Sequence, residues 1–445
     1  MQEYIIAAAI FGIVYFLIIV GRKLFHIPIW ASMLIGAILM LVFQVISLEY
    51  ALKSINLDVI GFLFGMFSIV TALDRAGVLK LIAIRMLARA NNVNSLLLIF
   101  VLGMGILSAF LVNDTIALLG IPLVIYISKH IGIRPVVLLI SLAFAISVGS
   151  TMAPIGNPQN LLIAIQSGIS LPFTTFIVHL TIPTLINLFL TYMILRIYFR
   201  KDLSPVVVAR TYQDKKITMA TATNPVAEES VSLSIIKNSH LAKTSSVILL
   251  LTIAGFIISE FLHLLHIANI GLSVVALLGA GALYLLSGKD RKDIFKNVDY
   301  SVLVFFAAMF VVTSALWSSG AISTIMSHIP SPNPNNFVQS NIIISVVSIL
   351  LSQILSNVPF VALYNLVMLN NGFTGDAHTS QWMMLASAST IAGNLTILAA
   401  ASNIIISDVA EAKGLKSFTY FEFLKIGALV TMVNIIIYYL FIVII

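Results

Sequence analysis

Long apolar runs separated by short polar intervals set the rhythm of the chain. Eight of them approach the ~20 residues that a helix needs to cross a hydrocarbon core about 30 Å thick: 4–20, 27–48, 59–72, 171–195, 245–265, 267–286, 302–316 and 418–445. Four more apolar stretches are interrupted by polar clusters. Residues 95–128 are broken at Asn113-Asp114-Thr115, and 135–166 from Gly149 to Asn160. Residues 341–369 are broken at Ser356-Asn357-Val358-Pro359, and 382–406 from Gly393-Asn394 to Ser402-Asn403. Several of the pieces are too short to span; 116–128 reaches only about 20 Å at ~1.5 Å per residue. The first and third stretches therefore read as re-entrant hairpins, the second and fourth as single crossings unwound midway.

Charge placement tests this reading. It gives each half five crossings and one hairpin, and it sends 23 of the 24 Lys and Arg to one face, with Lys53 the exception. The positive-inside rule identifies that face as cytoplasmic. Both termini are then expected outside and the central segment inside, in the plasma (inner) membrane of the cell. Glu3 precedes the first apolar run, Arg22 and Lys23 follow it, and no small-residue cleavage site marks it as a secretory signal. Composition agrees: 60% of the residues are hydrophobic and 9% charged, against about 25% charged in soluble domains. A soluble enzyme, a disordered chain and a nucleic-acid-binding module are excluded, and the lipid bilayer is the expected surrounding. The net charge of +7 is accounted for by orientation. With no cysteine, thiolate chemistry is excluded as well.

The two halves match at a nearly constant offset. Residues 107–113 align with 351–357 at a shift of 244, and Asn160-Leu161-Leu162-Ile163 with Asn403-Ile404-Ile405-Ile406 at 243. Met66 and Gly77 pair with Met309 and Gly320, also at 243. Five crossings per half is an odd number, so the second copy starts on the opposite face. The expected fold is thus an all-α polytopic membrane protein of two inverted-topology repeats, each with a re-entrant hairpin and a broken helix. The repeats are 1–198 and 245–445, joined by a polar cytosolic linker at 199–244. Broken helices in inverted repeats characterise secondary transporters, because unpaired backbone must line an enclosed cavity rather than lipid. Helix N-termini there attract anions.

The breaks supply the candidate binding residues. Asp114, between Asn113 and Thr115, is an intramembrane acid fit to carry a proton or a coupling cation; the structural alternative is an N-cap for a short helix. Ser150, Thr151, Gly156, Asn157 and Asn160 lie in a stretch too dense in breakers and amides for a simple kink. Ser356 and Asn357 form the second tip. Gly393, Asn394, Thr396, Ser402 and Asn403 form the second break, where ligand contact and polar helix packing are equally weighted. Asp58 and Asp299 read as interfacial caps, Asp408 and Glu411 as cytosolic, and Glu260, His263 and His266 as a solvated rim.

The motifs at 107–122 (LSAFLVNDTIALLGIP), 149–163 (GSTMAPIGNPQNLLI), 351–359 and 391–406 resemble the ion transporter superfamily. That group includes arsenite-efflux permeases, sodium/proton antiporters, citrate–metal carriers and divalent-anion symporters. The Asn113-Asp114 order is most similar to the arsenite permeases. Divalent-anion symporters carry Ser-Asn-Thr at both tips, which counts against sodium-coupled dicarboxylate uptake here. The resemblance implies an elevator mechanism, homodimers, and a solute held between the four breaks. It needs no cofactor or metal beyond Na+ or H+ as coupling ion. The leading expectation is a permease for a small anion or neutral oxyacid such as arsenite. The alternatives are a Na+/H+ antiporter using Asp114 and a citrate-like di- or tricarboxylate symporter.

Overall fold

A computed structural model of the chain describes residues 2–18, 27–203, 236, 238–326 and 329–444. The first half runs α1 (Gln2–Phe16), α2 (Ile29–Val42), α3 (Leu48–Ser54), α4 (Leu57–Ala76), α5 (Val78–Ala88), α6 (Val93–Leu111), α7 (Asn113–Ile131), α8 (Pro135–Ser150), α9 (Pro158–Gln166) and α10 (Pro172–Tyr198). The second runs α11 (Ser239–Leu264), α12 (Leu272–Leu286), α13 (Arg291–Lys296), α14 (Tyr300–Ser318), α15 (Ala321–Met326), α16 (Phe337–Leu355), α17 (Asn357–Asn370), α18 (Thr379–Ile391), α19 (Ala401–Ala412) and α20 (Tyr420–Tyr439). Each helix of the first half thus has a counterpart ten numbers later. No strand occurs among the described residues.

Local signals set the helix ends. The Asn56 side chain caps α4 through the Val59 amide, and Gly77 closes that helix in the left-handed region at φ 84°. Asn92 and Ser95 form a reciprocal capping box on α6, which satisfies first-turn amides that have no partner within the helix. Among the described residues, seven helices are long and apolar enough to cross a membrane, eight if α12 is joined to the turn and helix 288–296 across a 117° bend. Large apolar side chains such as Leu285 and Phe421 are more than three-quarters exposed on the outer surface. That suits a lipid environment, and the chain is an integral membrane protein.

The helices pack into two groups. One holds α1–α4 with α11–α14; the other holds α6–α10 with α16–α20. Contacts are reciprocal: α4 packs on α12 as α14 does on α2, and α9 packs on α17 as α19 does on α7. Residues at the 243 offset also meet their own counterparts. The Ser147 hydroxyl donates to the Thr390 carbonyl at 3.1 Å, and the Asn434 amide donates to the Thr191 hydroxyl at 3.4 Å. Such self-meeting marks a two-fold relation between the halves.

Two boundaries differ from expectation. α7 takes in Asn113-Asp114-Thr115 as its first turn and continues to Ile131, so it has 19 residues and reaches about 28 Å. The short-limb argument for the first hairpin therefore fails, whereas the 14-residue α17 keeps a short limb. α11 begins at Ser239, capped by Asn238, inside the stretch expected as linker. The end of the first apolar run, Arg22, Lys23 and most of the linker lie outside the described residues.

Candidate functional site

The chain turns sharply between the two helices of each hairpin. Val112 stands between α6 and α7 at φ 62°, and Ser356 between α16 and α17 at φ 61°. Positive φ is uncommon for any residue with a Cβ and an outlier for a β-branched one. Neither α7 nor α17 has a side-chain cap at its start, so first-turn amides at both tips are left for other acceptors.

Both tips open onto one cavity of roughly 570 Å³. Asn113 and Asp114 line it from the first tip, Ser356 and Asn357 from the second. Pro158 and Gln159 at the start of α9 and Ala400 and Ala401 at the start of α19 bring in the two breaks. Asp114 is not the N-cap: Val112 holds that position and the Asn113 side chain accepts from the Asp114 amide at 2.9 Å. The Asp114 carboxylate lies in the positive first turn of α7, where negative charge is favoured.

The structure adds two carboxylates to this cavity. Asp299, expected as an interfacial cap, does accept from the Ser301 amide at the start of α14, and it also lines the cavity. Asp408, expected as cytosolic, lines it too. Ala401, Ile404, Ile405 and Asp408 share one face of α19 at helical spacing, which was the sequence signal for it. Among the described lining residues there is no Lys, Arg or His. Nor do any three acidic or imidazole groups among the described residues come together to hold a metal ion.

The rest of the first break turns away from the cavity and closes on itself. The Asn157 amide donates to the Ser150 hydroxyl at 3.1 Å and to the Thr390 hydroxyl at 3.3 Å. Asn160 donates to the carbonyls of Ser150, Thr151 and Ala153, and Thr390 donates to the Asn160 side-chain oxygen at 3.2 Å. Gly156 is required there, since a Cβ would stand 2.2 Å from the Ser150 carbonyl oxygen. Thr115 falls in the first turn of α7, off the lining.

The polar residues of the second break, Gly393, Asn394, Thr396, Ser402 and Asn403, are likewise off the lining, behind Ala400 and Ala401, but they are less completely paired. Asn403 donates to the Gly393 carbonyl at 2.6 Å, and Thr396 donates to Gln353 at 2.8 Å. Yet both polar atoms of the Asn394 side chain, the Ser402 hydroxyl and the side-chain oxygens of Asn403 and Asn357 are buried without a partner among the described residues. Gly393 packs between the Asn357 amide and the Ser147 hydroxyl; a Cβ there would come within 3.1 and 3.2 Å of them. The residues not assigned to the site from sequence are Thr390, Gln353 and Tyr15; Gln159 stands among the amides of the first break. The 243 offset from Ser147 marks Thr390, Gln353 lies in the repeated motif at 351–357, and Tyr15 alone carries no signal in sequence.

Glu260 corrects another expectation. It is not part of a solvated rim with His263 and His266 but is buried, accepting from the Phe173 amide at 2.5 Å, the Thr174 amide at 2.9 Å and the Thr174 hydroxyl at 2.6 Å.

Comparison with known proteins places this geometry. A family model described as citrate transporter matches residues 15–385. An uncharacterized transporter of Mycobacterium tuberculosis is 30% identical, covering 86% of this chain and 85% of its own. A silicon efflux transporter of Oryza sativa subsp. japonica is 28% identical, covering 92% and 91%. Among solved structures, the YdaH transporter of Alcanivorax borkumensis matches with TM-score 0.50 at 13% identity, over 90% of this chain and 88% of that one. That likeness is one of fold alone.

Proposed function

The chain belongs to the citrate transporter family, and we propose that it is an elevator-type secondary transporter for a small neutral oxyacid, of the class of arsenite or silicic acid, coupled to protons through Asp114. One observation carries the reading. Both hairpin tips share a cavity that, among the described residues, presents Asp114, Asp299 and Asp408 and no basic side chain. Carboxylates lining a mostly apolar cavity repel an anion at close range. A neutral hydroxylated solute meets no such repulsion. Its hydroxyls donate to the carboxylates and to the unpartnered oxygen of Asn357, while its oxygens accept from the uncapped amides of the two tips. A relative described as a silicon efflux transporter supports this choice of solute class. The two helix groups supply a natural division into a static and a moving part, the moving part carrying both tips. The two-fold relation between halves gives the opposed copies that alternating access uses. With the basic residues facing the cytoplasm, both termini lie outside.

Asp114 is the coupling group because it alone combines a carboxylate with a place at a tip. The matching position in the second half is Val358, which holds no proton. The same carboxylates favour a second reading, Na+/H+ exchange at Asp114 with no solute. A citrate trianion fits worst, since it would need a bound cation to offset three negative side chains.

Proteoliposomes separate these readings. With an imposed pH gradient and no sodium, uptake of silicic acid or arsenite that collapses the gradient is the expected result. Sodium-driven alkalinisation without any solute would instead establish exchange at Asp114. Citrate flux with a divalent cation would overturn the neutral-solute assignment.

A further inference from the structure

Among the described residues, two polar ties between the helix groups stand out, and they differ in strength. At the cavity, the Tyr15 hydroxyl of α1 donates to the Leu355 carbonyl, just before the second tip, at 2.7 Å. Away from the cavity, Glu260 of α11 takes three donors at the start of α10. α10 has no cap of its own: its N-cap position is Leu171 and Pro172 follows. A carboxylate from the other half of the chain therefore does the work of the missing cap, set against the positive end of the α10 dipole.

We propose that Glu260 is a positioning residue that pins the start of α10 to α11 throughout the transport cycle. The group carrying the tips then swings about this point while the Tyr15–Leu355 contact parts and re-forms. The inference rests on the two-group movement of the proposed function. Charge-assisted hydrogen bonds are roughly twice as strong as neutral ones, and three of them act here against a single neutral bond at Tyr15. Parting them would leave a buried carboxylate and two helix amides unpaired in apolar surroundings, an arrangement proteins avoid. Apolar packing reinforces the joint. Phe256, one turn before Glu260 on the same face, is fully buried between Phe173 of α10 at 5.5 Å and Phe62 of α4 at 5.7 Å. The counterpart helix α20 is capped by its own Thr419, so the pin exists on one side only and the swing it allows is one-sided.

The chain contains no cysteine, so spin labels can be placed without background. One pair, Val178→Cys with Phe261→Cys, reports the pinned joint; the other, Ile13→Cys with Ile354→Cys, reports the cavity side. All four positions are exposed in the native chain. Distances are measured on the full chain in proteoliposomes at acidic and alkaline pH, with and without silicic acid or arsenite. A shift of several ångströms in the second pair with an unchanged first pair is the expected result. Equal shifts in both pairs would overturn the pin while leaving the two-group movement standing. No shift in either would sink the movement and the pin with it. As a second readout, Glu260→Ala should lower the maximal flux several-fold with KM unchanged, and Glu260→Gln, which still accepts from one amide, should restore part of it. A fall in KM-limited flux alone would place Glu260 with the solute instead.

Discussion

Between α8 and α9 the unwound chain closes on itself, whereas the matching stretch between α18 and α19 leaves polar atoms unanswered. In the first, the prolines at 154 and 158 interrupt the helix, and Asn160 collects the carbonyls of Ser150, Thr151 and Ala153, the last shared with the Gly156 amide. In the second there is no proline, the chain passes through two short 3-10 turns, and the Asn394 side chain finds no partner among the described residues. The tips contrast the other way, since the first carries a carboxylate and the second does not. One half therefore brings the ionisable group on a rigid mount, and the other brings neutral groups whose hydrogen bonds a solute, water or ion can complete. The density of polar residues in the first break is a signature of self-satisfaction, and a buried polar group earns a binding role only when its own chain leaves it unpaired.

The largest effect tests the tips. Asp114→Asn should reduce gradient-driven solute flux to background in proteoliposomes and remove its pH dependence. Transport that keeps its pH dependence would move the coupling group to Asp299 or Asp408. Next come the breaks. Asn160→Ala removes the hub of the closed network and should destabilise the protein by about 1–3 kcal/mol through unpaired carbonyls, read as a lower melting temperature in detergent. Ser402→Ala deletes a hydroxyl with no partner, so stability should change by less than about 0.5 kcal/mol while solute affinity falls. Equal destabilisation by the two would erase the distinction between closed and open.

The smallest effect concerns the loop that clasps the start of α10. Asp376 accepts from the Ser170 hydroxyl at 2.6 Å and the Ser170 amide at 2.9 Å, and these bonds hold its carboxyl below the usual carboxylate range. The stabilisation is therefore complete above the unfolded value of about 3.9 and is lost as pH falls through the lower folded value. Because the pair is exposed, Asp376→Asn should cost less than about 1 kcal/mol at neutral pH and abolish this acid-sensitive increment. A melting curve across the acid range checks both.

The breaks were legible because glycine, proline and amides interrupt apolar runs, and the two-fold relation because the offset holds from Met66 to Asn403. Other features were not. The first turn of α7 is written in polar residues, so counting apolar ones missed its length. Asp299 enters the cavity by the packing of α14 rather than by any local pattern. Glu260 resembles its half-buried neighbour His263 and its exposed neighbour His266 in sequence; only the missing cap of α10, more than eighty positions earlier, explains its burial.

The matched bends at Val112 and Ser356 have a consequence for how occupancy is detected. Apart from the Asp114 amide, which the Asn113 side chain takes, the first-turn N–H groups after each bend have no side-chain cap and are left to the chamber. Deuterium uptake at Asn113 and Asn357, matched positions that both line the cavity, would then slow together when a solute seats and quicken together when it leaves, so two peptides far apart in the digest report a single event.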